Sequence, residues 1–290
     1  MWVIISADAD GPGCHAEMVP LCCSSWRKFM PEMKIALVII GDDTENTYRA
    51  KYGQWCDAME IVRPSAKYSK SIVARTSRLW YGATMRGEVV TFEDVDLILC
   101  QREWHVGKFA QWKPGRVMRM GAEYYKTIVH ESGKAPMSKF TCEADVLRSF
   151  VNPSDLPFHE WIAQFDGVNL IDMHGRENVA QSGNFSDESL LRALMFKWNH
   201  WELVDDIARD WGYDDCYILN RARWGKVNWE WVRQGAMYEG HILKPYYDNL
   251  ITVSASVAAK QGLRADHPGL KPLIEYIGYD EPALGGAACA

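Results

Sequence analysis

Residues 2–6, WVIIS, and residues 35–40, IALVII, are two apolar runs separated by a segment with helical periodicity. The second run is continuously apolar, which is typical of a strand buried on both faces. Between the runs, apolar residues recur from Met18 to Phe29 with the spacing of one helical face, and Pro31 ends the helix. This strand–helix–strand opening predicts an α/β fold with a mixed, mostly parallel sheet and helices on both faces, in which ligands bind at the carboxyl ends of the strands.

Composition narrows the class of protein. The chain has 290 residues, of which 48% are hydrophobic and 24% charged, as is ordinary for a soluble globular protein. A net charge of −6 does not favour binding to nucleic acid or to an anionic membrane. No stretch approaches the length of a membrane span, and we expect residues 2–6 to form a strand and not part of a leader. The eight cysteines form no CxxC pair, which predicts reduced thiols and a cytoplasmic location.

The order of the elements predicts one large domain. We expect a single domain over residues 1–265, with a nucleotide-binding half at 1–100 and an acceptor-side half at 101–265. Residues 266–290 are expected to form a C-terminal extension that packs back onto it. Further strands are expected at 59–62, 88–92 and 168–173, and helices at 71–85, 146–151, 158–165 and 184–198.

The acidic triplet Asp94-Val95-Asp96 follows an apolar strand. In an extended chain the two carboxylates lie on one face, so both can bind one divalent cation. Far along the chain stands His241, and imidazole suits Mn²⁺ better than Mg²⁺ or Ca²⁺. Lys244 follows closely and can neutralise phosphate charge. The pattern predicts a metal site of Asp94, Asp96 and His241 that serves a diphosphate.

With these residues in order, the chain resembles a GT-A-fold nucleotide-sugar glycosyltransferase. The resemblance covers about residues 1–250, and its motifs follow one another as in that family. They are VIISAD at 3–8, SWRK at 25–28, ALVIIG at 36–41, the DxD triplet at 94–96, NFSDESLL at 184–191 and GHILKPY at 240–246. The last element is shorter than is usual in the family, because only two residues separate His241 from Lys244.

The resemblance implies a GT-A-like, Rossmann-like catalytic domain that takes a nucleotide-diphosphate sugar, with a UDP-sugar as the family default. It implies Mn²⁺ or Mg²⁺ held by Asp94, Asp96 and His241. Lys244 would stabilise the charge that develops on the leaving diphosphate. The acceptor, whether a glycan, a protein or another molecule with a hydroxyl group, is left open, as is the choice between retention and inversion.

Five further residues are assigned to the site on the same basis. Asp8, at the exit of the first strand, would contact the nucleoside. Arg75 and Arg78, one helical turn apart, would reach phosphate or base. An inverting enzyme needs a carboxylate base near the acceptor hydroxyl, and Asp187 and Glu188 are the candidates.

Most of these candidate site residues also have a simpler, purely structural interpretation. Asp94 and Asp96 would also suit a solvated strand end, His241 a structural histidine, and the arginines a solvated helix face. Asp187 and Glu188 would suit the first turn of a helix capped by Ser186.

Two other functions remain open. Asp8-Ala9-Asp10 after an apolar strand resembles the nucleophile motif of haloacid-dehalogenase-like phosphatases, in which Asp8 would attack phosphorus and Asp10 would serve as acid and base. A non-catalytic nucleotide-sugar-binding protein is the third possibility.

Overall fold

The computed structural model describes residues 1–9, 14–41, 45–121, 135–165, 187–208, 218–219, 239–241 and 271–278. For residues 45–46, 218–219, 239–241 and 271–272 the description covers the backbone alone. The chain divides into two compact units. The first comprises Met1–Asp8, Lys34–Asp94 and Lys108–Trp211, and the second comprises Ala9–Met33, Val95–Gly107 and Gly212–Ala290.

Strands and helices alternate along the described residues. The strands are β1 (Trp2–Asp8), β2 (Lys34–Ile40), β3 (Ala58–Val62), β4 (Val89–Asp94), β5 (Leu97–Leu99), β6 (Val117–Met120), β7 (Thr141–Glu143), β8 (Val204–Ile207), β9 (Ile218–Leu219) and β10 (Glu239–His241). The α-helices are α1 (Val19–Phe29), α2 (Glu45–Tyr52), α3 (Lys70–Thr84), α4 (Arg102–Phe109), α5 (Ala144–Val151), α6 (Phe158–Ala163), α7 (Asp187–Trp198) and α8 (Lys271–Ile277). Short 3-10 helices span His15–Met18, Gly53–Trp55 and Trp201–Leu203.

The first unit is built on a seven-stranded sheet in the order β3-β2-β1-β4-β7-β6-β8. The strands β3, β2, β1 and β4 are mutually parallel, β7 is antiparallel to its neighbours β4 and β6, and β8 is parallel to β6. In this register Ile5 of β1 lies between Leu37 and Glu93. The α/β class with a mixed, mostly parallel, Rossmann-like sheet that the sequence predicts is confirmed.

Both faces of the parallel strands are buried. On one face Ile4 and Phe92 belong to a cluster that includes residues of α3, α5 and α7. Helix α3 comes closest to the sheet at Gly82, where an added Cβ would lie 2.7 Å from the Phe92 ring and 3.0 Å from Cδ1 of Ile4. The alternate residues of β1 and β2, such as Val3 and Leu37, are buried as well. This explains why the two strands are continuously apolar in sequence.

The second unit contains a three-stranded sheet in the order β5-β10-β9. Helix α1 is joined to β5 by two hydrogen bonds. The Ser25 hydroxyl accepts from the Leu99 N–H at 3.1 Å, and the Cys22 thiol donates to the Leu97 carbonyl at 3.3 Å. Helix α8 is held in the same unit by Tyr276, whose hydroxyl donates to the Cys100 carbonyl at 2.8 Å. Its ring stacks on Phe29 of α1 with the centroids 5.8 Å apart.

Most of the expected elements are present where they are described. The strands expected at 59–62 and 88–92 and the helices expected at 71–85, 146–151 and 158–165 correspond to β3, β4, α3, α5 and α6, with shifts of a few residues at the ends. The strand expected at 168–173 lies outside the described residues. The division into halves at residue 100 and the extension at 266–290 stay predictions. None of the described helices has both the length and the apolar character needed to cross a bilayer.

Candidate functional site

Asp94 lies where the carboxyl ends of parallel strands meet. It is the last residue of β4, and its register partner in β1 is Ser6. Two residues farther along β1 comes Asp8, which ends that strand opposite Ile40 of β2. Asp8 and Asp94 therefore lie at the same edge of adjacent strands, where open α/β sheets bind their ligands. Asp8 is partly buried, and the Asp94 side chain is 35% exposed.

Arg78 of α3 binds the Asp94 side chain and fixes its position. Its Nη1 donates to Oδ1 of Asp94 and to the Glu93 carbonyl, each at 2.8 Å. Its Nε donates to Oδ2 of Asp187 at 3.1 Å, and its Nη2 bonds the same oxygen. Burial alone would lower the pKa of the Arg78 guanidinium, but the charges of Asp187 and Asp94 outweigh it and raise that pKa above its ordinary value. Arg78 is therefore a permanent cation that joins α3, β4 and the start of α7.

Glu93, the residue before Asp94, forms a fully buried ion pair with Lys139. Its Oε2 accepts from Nζ of Lys139 at 2.9 Å, and neither side chain is exposed. Its Oε1 accepts from the Ser138 hydroxyl at 2.6 Å and from the backbone N–H of Asp94 at 3.1 Å. Sequence reasoning missed both partners of this ion pair. The signal was present, because a glutamate directly follows four uncharged strand residues, VVTF, and lies inside the same strand.

Three ion pairs lie around the end of β4, namely Arg78–Asp94, Arg78–Asp187 and Glu93–Lys139. The network contains three carboxylates, on Glu93, Asp94 and Asp187, and two cations, on Arg78 and Lys139. Four of these side chains are at most 5% exposed, whereas Asp94 reaches solvent. Burying a charge is costly unless it is paired, and each of the four buried charges here has a partner of opposite sign. Asp94 is thus a carboxylate that is fixed by Arg78 and still partly exposed.

Beyond Asp94 the backbone departs from the expectation. Residues 95 and 96 form a turn rather than continuing the strand, so the extended geometry that was expected to put both carboxylates on one face is wrong. The reason is that the strand of the first sheet ends at Asp94 and the chain enters β5 of the second sheet at Leu97. Asp96, in the turn, is buried.

His241 is placed by backbone register. It lies in β10, which runs antiparallel to β5, and its partner there is Leu97, the residue that follows Asp96. The backbones of Asp96 and His241 are therefore neighbours in the second unit. The His241 side chain is outside the description. Within the described residues no group of three or more histidine, cysteine, aspartate or glutamate side chains is arranged to hold a metal.

The other predicted residues differ in their surroundings. Arg75 is exposed, although Arg78 one turn away is buried. Asp187, the first residue of α7, is buried in its ion pair with Arg78, and Glu188 is partly buried. Lys244, Asp10 and the proposed cap Ser186 lie outside the described residues. The nucleotide-binding and catalytic roles of all these residues stay predictions.

Comparison with known proteins finds solved structures that are similar to the chain but does not assign it to a family. No protein-family model and no curated protein matches the chain. Among solved structures, the chain is similar to the galactosyltransferase LgtC in complex with donor and acceptor sugar analogues, at 11% identity and a TM-score of 0.49, over 96% of this chain and 95% of that one. It is also similar to the glycosyltransferase GlyE of Streptococcus pneumoniae TIGR4, at 13% identity and a TM-score of 0.43, over 83% of this chain and 54% of GlyE. These neighbours are glycosyltransferases, and at this level of similarity neither assigns the chain to their family.

Proposed function

We propose that this protein is a metal-dependent glycosyltransferase that moves a sugar from a nucleotide-diphosphate sugar, with a UDP-sugar favoured, to a hydroxyl acceptor. The observation that supports this most is the fixed, part-exposed carboxylate of Asp94 at the carboxyl edge of a parallel sheet, with Asp8 ending the adjacent strand. Such an edge suits a nucleotide, and an acidic pair beside it suits the cation that a diphosphate brings.

The donor types of the proposed ligand set suit a divalent cation. Asp94 supplies a carboxylate that Arg78 fixes and that is 35% exposed. We propose Asp96 and His241 as the second and third ligands; Asp96 lies two residues from Asp94 in the chain, and the backbone of His241 pairs with that of Leu97. Carboxylate and imidazole donors together favour Mn²⁺ over Mg²⁺. When bound, the ion supplies Lewis-acid stabilisation of the negative charge that develops on the diphosphate.

The remaining roles in binding and catalysis fall to side chains of the protein. Asp8 binds the nucleoside, Lys244 binds the diphosphate, and Arg78 keeps the Asp94 carboxylate in place rather than reaching the phosphate itself. The Asp187 carboxylate is buried, and its Oδ2 already accepts two hydrogen bonds from Arg78. Asp187 is therefore best placed to orient Arg78, and Glu188 is the better candidate for the base that takes the acceptor proton.

A turnover assay with paired substrates tests this function against the phosphatase alternative. We expect release of UDP from one or more UDP-sugars in the presence of Mn²⁺, and we expect Asp94→Asn to abolish it. Asp155→Asn is the matched control, since it makes the same acid-to-amide change at an exposed residue paired with Arg86. Hydrolysis of an aryl phosphate that is lost in Asp8→Asn but kept in Asp94→Asn would contradict the proposal and favour a phosphatase.

A further inference from the structure

The Glu93–Lys139 pair is hard to explain by stability. Both side chains are fully buried. Replacing such a pair with apolar residues of similar volume is commonly neutral or stabilising, because desolvation offsets the attraction between the charges. Lys139 also has a φ of 58°, in the left-handed region that a lysine seldom adopts. A costly pair on an unfavourable backbone suggests a task that apolar side chains cannot perform.

The hydrogen bonds of β4 show what that task is. Beside β7, Phe92 donates its N–H to the Phe140 carbonyl at 3.3 Å and accepts from the Lys139 N–H at 2.6 Å. Two residues farther on, the Asp94 N–H donates to a side chain instead, Oε1 of Glu93. Lys139 and the Ser138 hydroxyl in turn hold the Glu93 carboxylate. The Glu93 side chain thus takes the place of a strand partner at the point where β4 ends.

We propose that Glu93, held by Lys139 and Ser138, is a positioning residue that fixes the backbone of Asp94 and thereby the metal-binding carboxylate. The expected consequence, tighter binding of the metal and the donor, rests on the proposed function. The geometry that joins Glu93 to Asp94 does not depend on it. Arg78 fixes the side chain of Asp94, and Glu93 fixes its main chain. The residue is therefore held at both places before any ligand binds. Groups that orient a metal ligand in this way typically change metal affinity by about 10- to 100-fold when they are removed.

Two double variants separate this role from a merely structural one. Single changes at Glu93 or Lys139 would leave a buried charge without its partner and risk unfolding the protein. In Glu93→Gln/Lys139→Met the charges are gone but an amide oxygen can still accept from the Asp94 N–H. In Glu93→Leu/Lys139→Met both the charges and the acceptor are gone. We expect the two variants to fold and to have similar urea midpoints.

The first readout is the hydrogen exchange of the Asp94 amide, followed by NMR after selective ¹⁵N-aspartate labelling. We expect wild-type protection in Glu93→Gln/Lys139→Met and exchange about tenfold faster in Glu93→Leu/Lys139→Met, as the loss of one hydrogen bond implies. The second readout is the dissociation constant of UDP in the presence of Mn²⁺, measured by calorimetry. We expect it to rise about 10- to 100-fold in the leucine variant alone.

Equal exchange and equal affinity in the two double variants would overturn the inference. So would weakened binding of the same size in both, because that would make the charge rather than the acceptor responsible. If wild-type protein binds UDP without any dependence on Mn²⁺, the proposed function fails. The amide exchange then still decides whether Glu93 holds Asp94.

Discussion

At the scale of single residues, Arg78 shows how burial separates two side chains that the sequence treats alike. Arg75 and Arg78 were predicted together as phosphate contacts because they lie one helical turn apart. The structure exposes Arg75 and buries Arg78 against three acceptors, Asp94, Asp187 and the Glu93 carbonyl. These acceptors lie 15, 16 and 109 positions away in sequence, so local pattern could not reveal them.

Replacing Arg78 tests that network directly. In Arg78→Lys the charge is kept, but one ammonium group cannot reach all three acceptors as the guanidinium fork does. We expect the free energy of unfolding to fall by about 2–4 kcal/mol in urea titrations. Arg75→Lys makes the same chemical change on the exposed face and should alter it by no more than about 0.5 kcal/mol. Equal stability of the two variants would show that the Arg78 network contributes little.

A second prediction at the residue scale concerns pH. Asp205 of β8 accepts from Nε and Nη2 of Arg116, the residue before β6, at 2.5 and 2.7 Å. These hydrogen bonds hold the pKa of the Asp205 carboxyl below its ordinary value of 3.8. A lowered folded-state pKa contributes stability above the unfolded-state value, and this is lost as the pH falls through the folded-state value.

We therefore expect Asp205→Asn to lower the free energy of unfolding by about 1 kcal/mol near neutral pH. The difference from wild type should shrink as the pH is lowered through the acid range, where Asp205 itself becomes neutral. Urea titrations at a series of pH values measure it. Asp145→Asn, at a more exposed residue whose contact with Arg148 is 3.8 Å long, serves as the control. A difference that stays constant down to acid pH would contradict the assignment.

At the scale of secondary-structure elements, the strands that the sequence revealed are those buried on both faces. The runs at β1 and β2 are continuously apolar because the side chains on both faces of these strands are buried. By contrast, β6 and β8 were missed. Each has only four residues, and charged side chains interrupt their apolar pattern, Arg119 in β6 and Asp205 and Asp206 in β8. The turn at residues 95–96 was missed because a switch from one sheet to another leaves no local signature.

Gly82 offers a test of packing between α3 and the sheet. In an exposed helix, glycine to alanine gains about 1 kcal/mol. Here the new methyl group would meet Phe92 and Ile4, both fully buried. Since overpacking of a tight core typically costs about 1–3 kcal/mol, we expect Gly82→Ala to be net destabilising in thermal unfolding. A raised melting temperature would mean that α3 can move away from the sheet at little cost.

At the scale of the whole molecule, the α/β class followed from the apolar pattern, whereas the site could be predicted only in outline. Asp94 was identified because an acidic triplet follows an apolar strand. The residues that hold it, Glu93 and Lys139, were not, because their pairing spans 46 positions and is decided by the approach of residues 137–140 to β4. The fold therefore fixes the first carboxylate of a common acidic triplet, as the proposed binding of a metal and a diphosphate would require.

The most direct test of the central claim is calorimetry of UDP binding with Mn²⁺ and with EDTA, on wild type, Asp96→Asn and the surface control Asp155→Asn. We predict that wild type and Asp155→Asn bind UDP tightly with Mn²⁺ and far more weakly with EDTA, and that Asp96→Asn loses the difference. UDP affinity that is the same with Mn²⁺ and with EDTA, and unchanged in Asp96→Asn, would contradict a metal-dependent site at Asp94-Val95-Asp96.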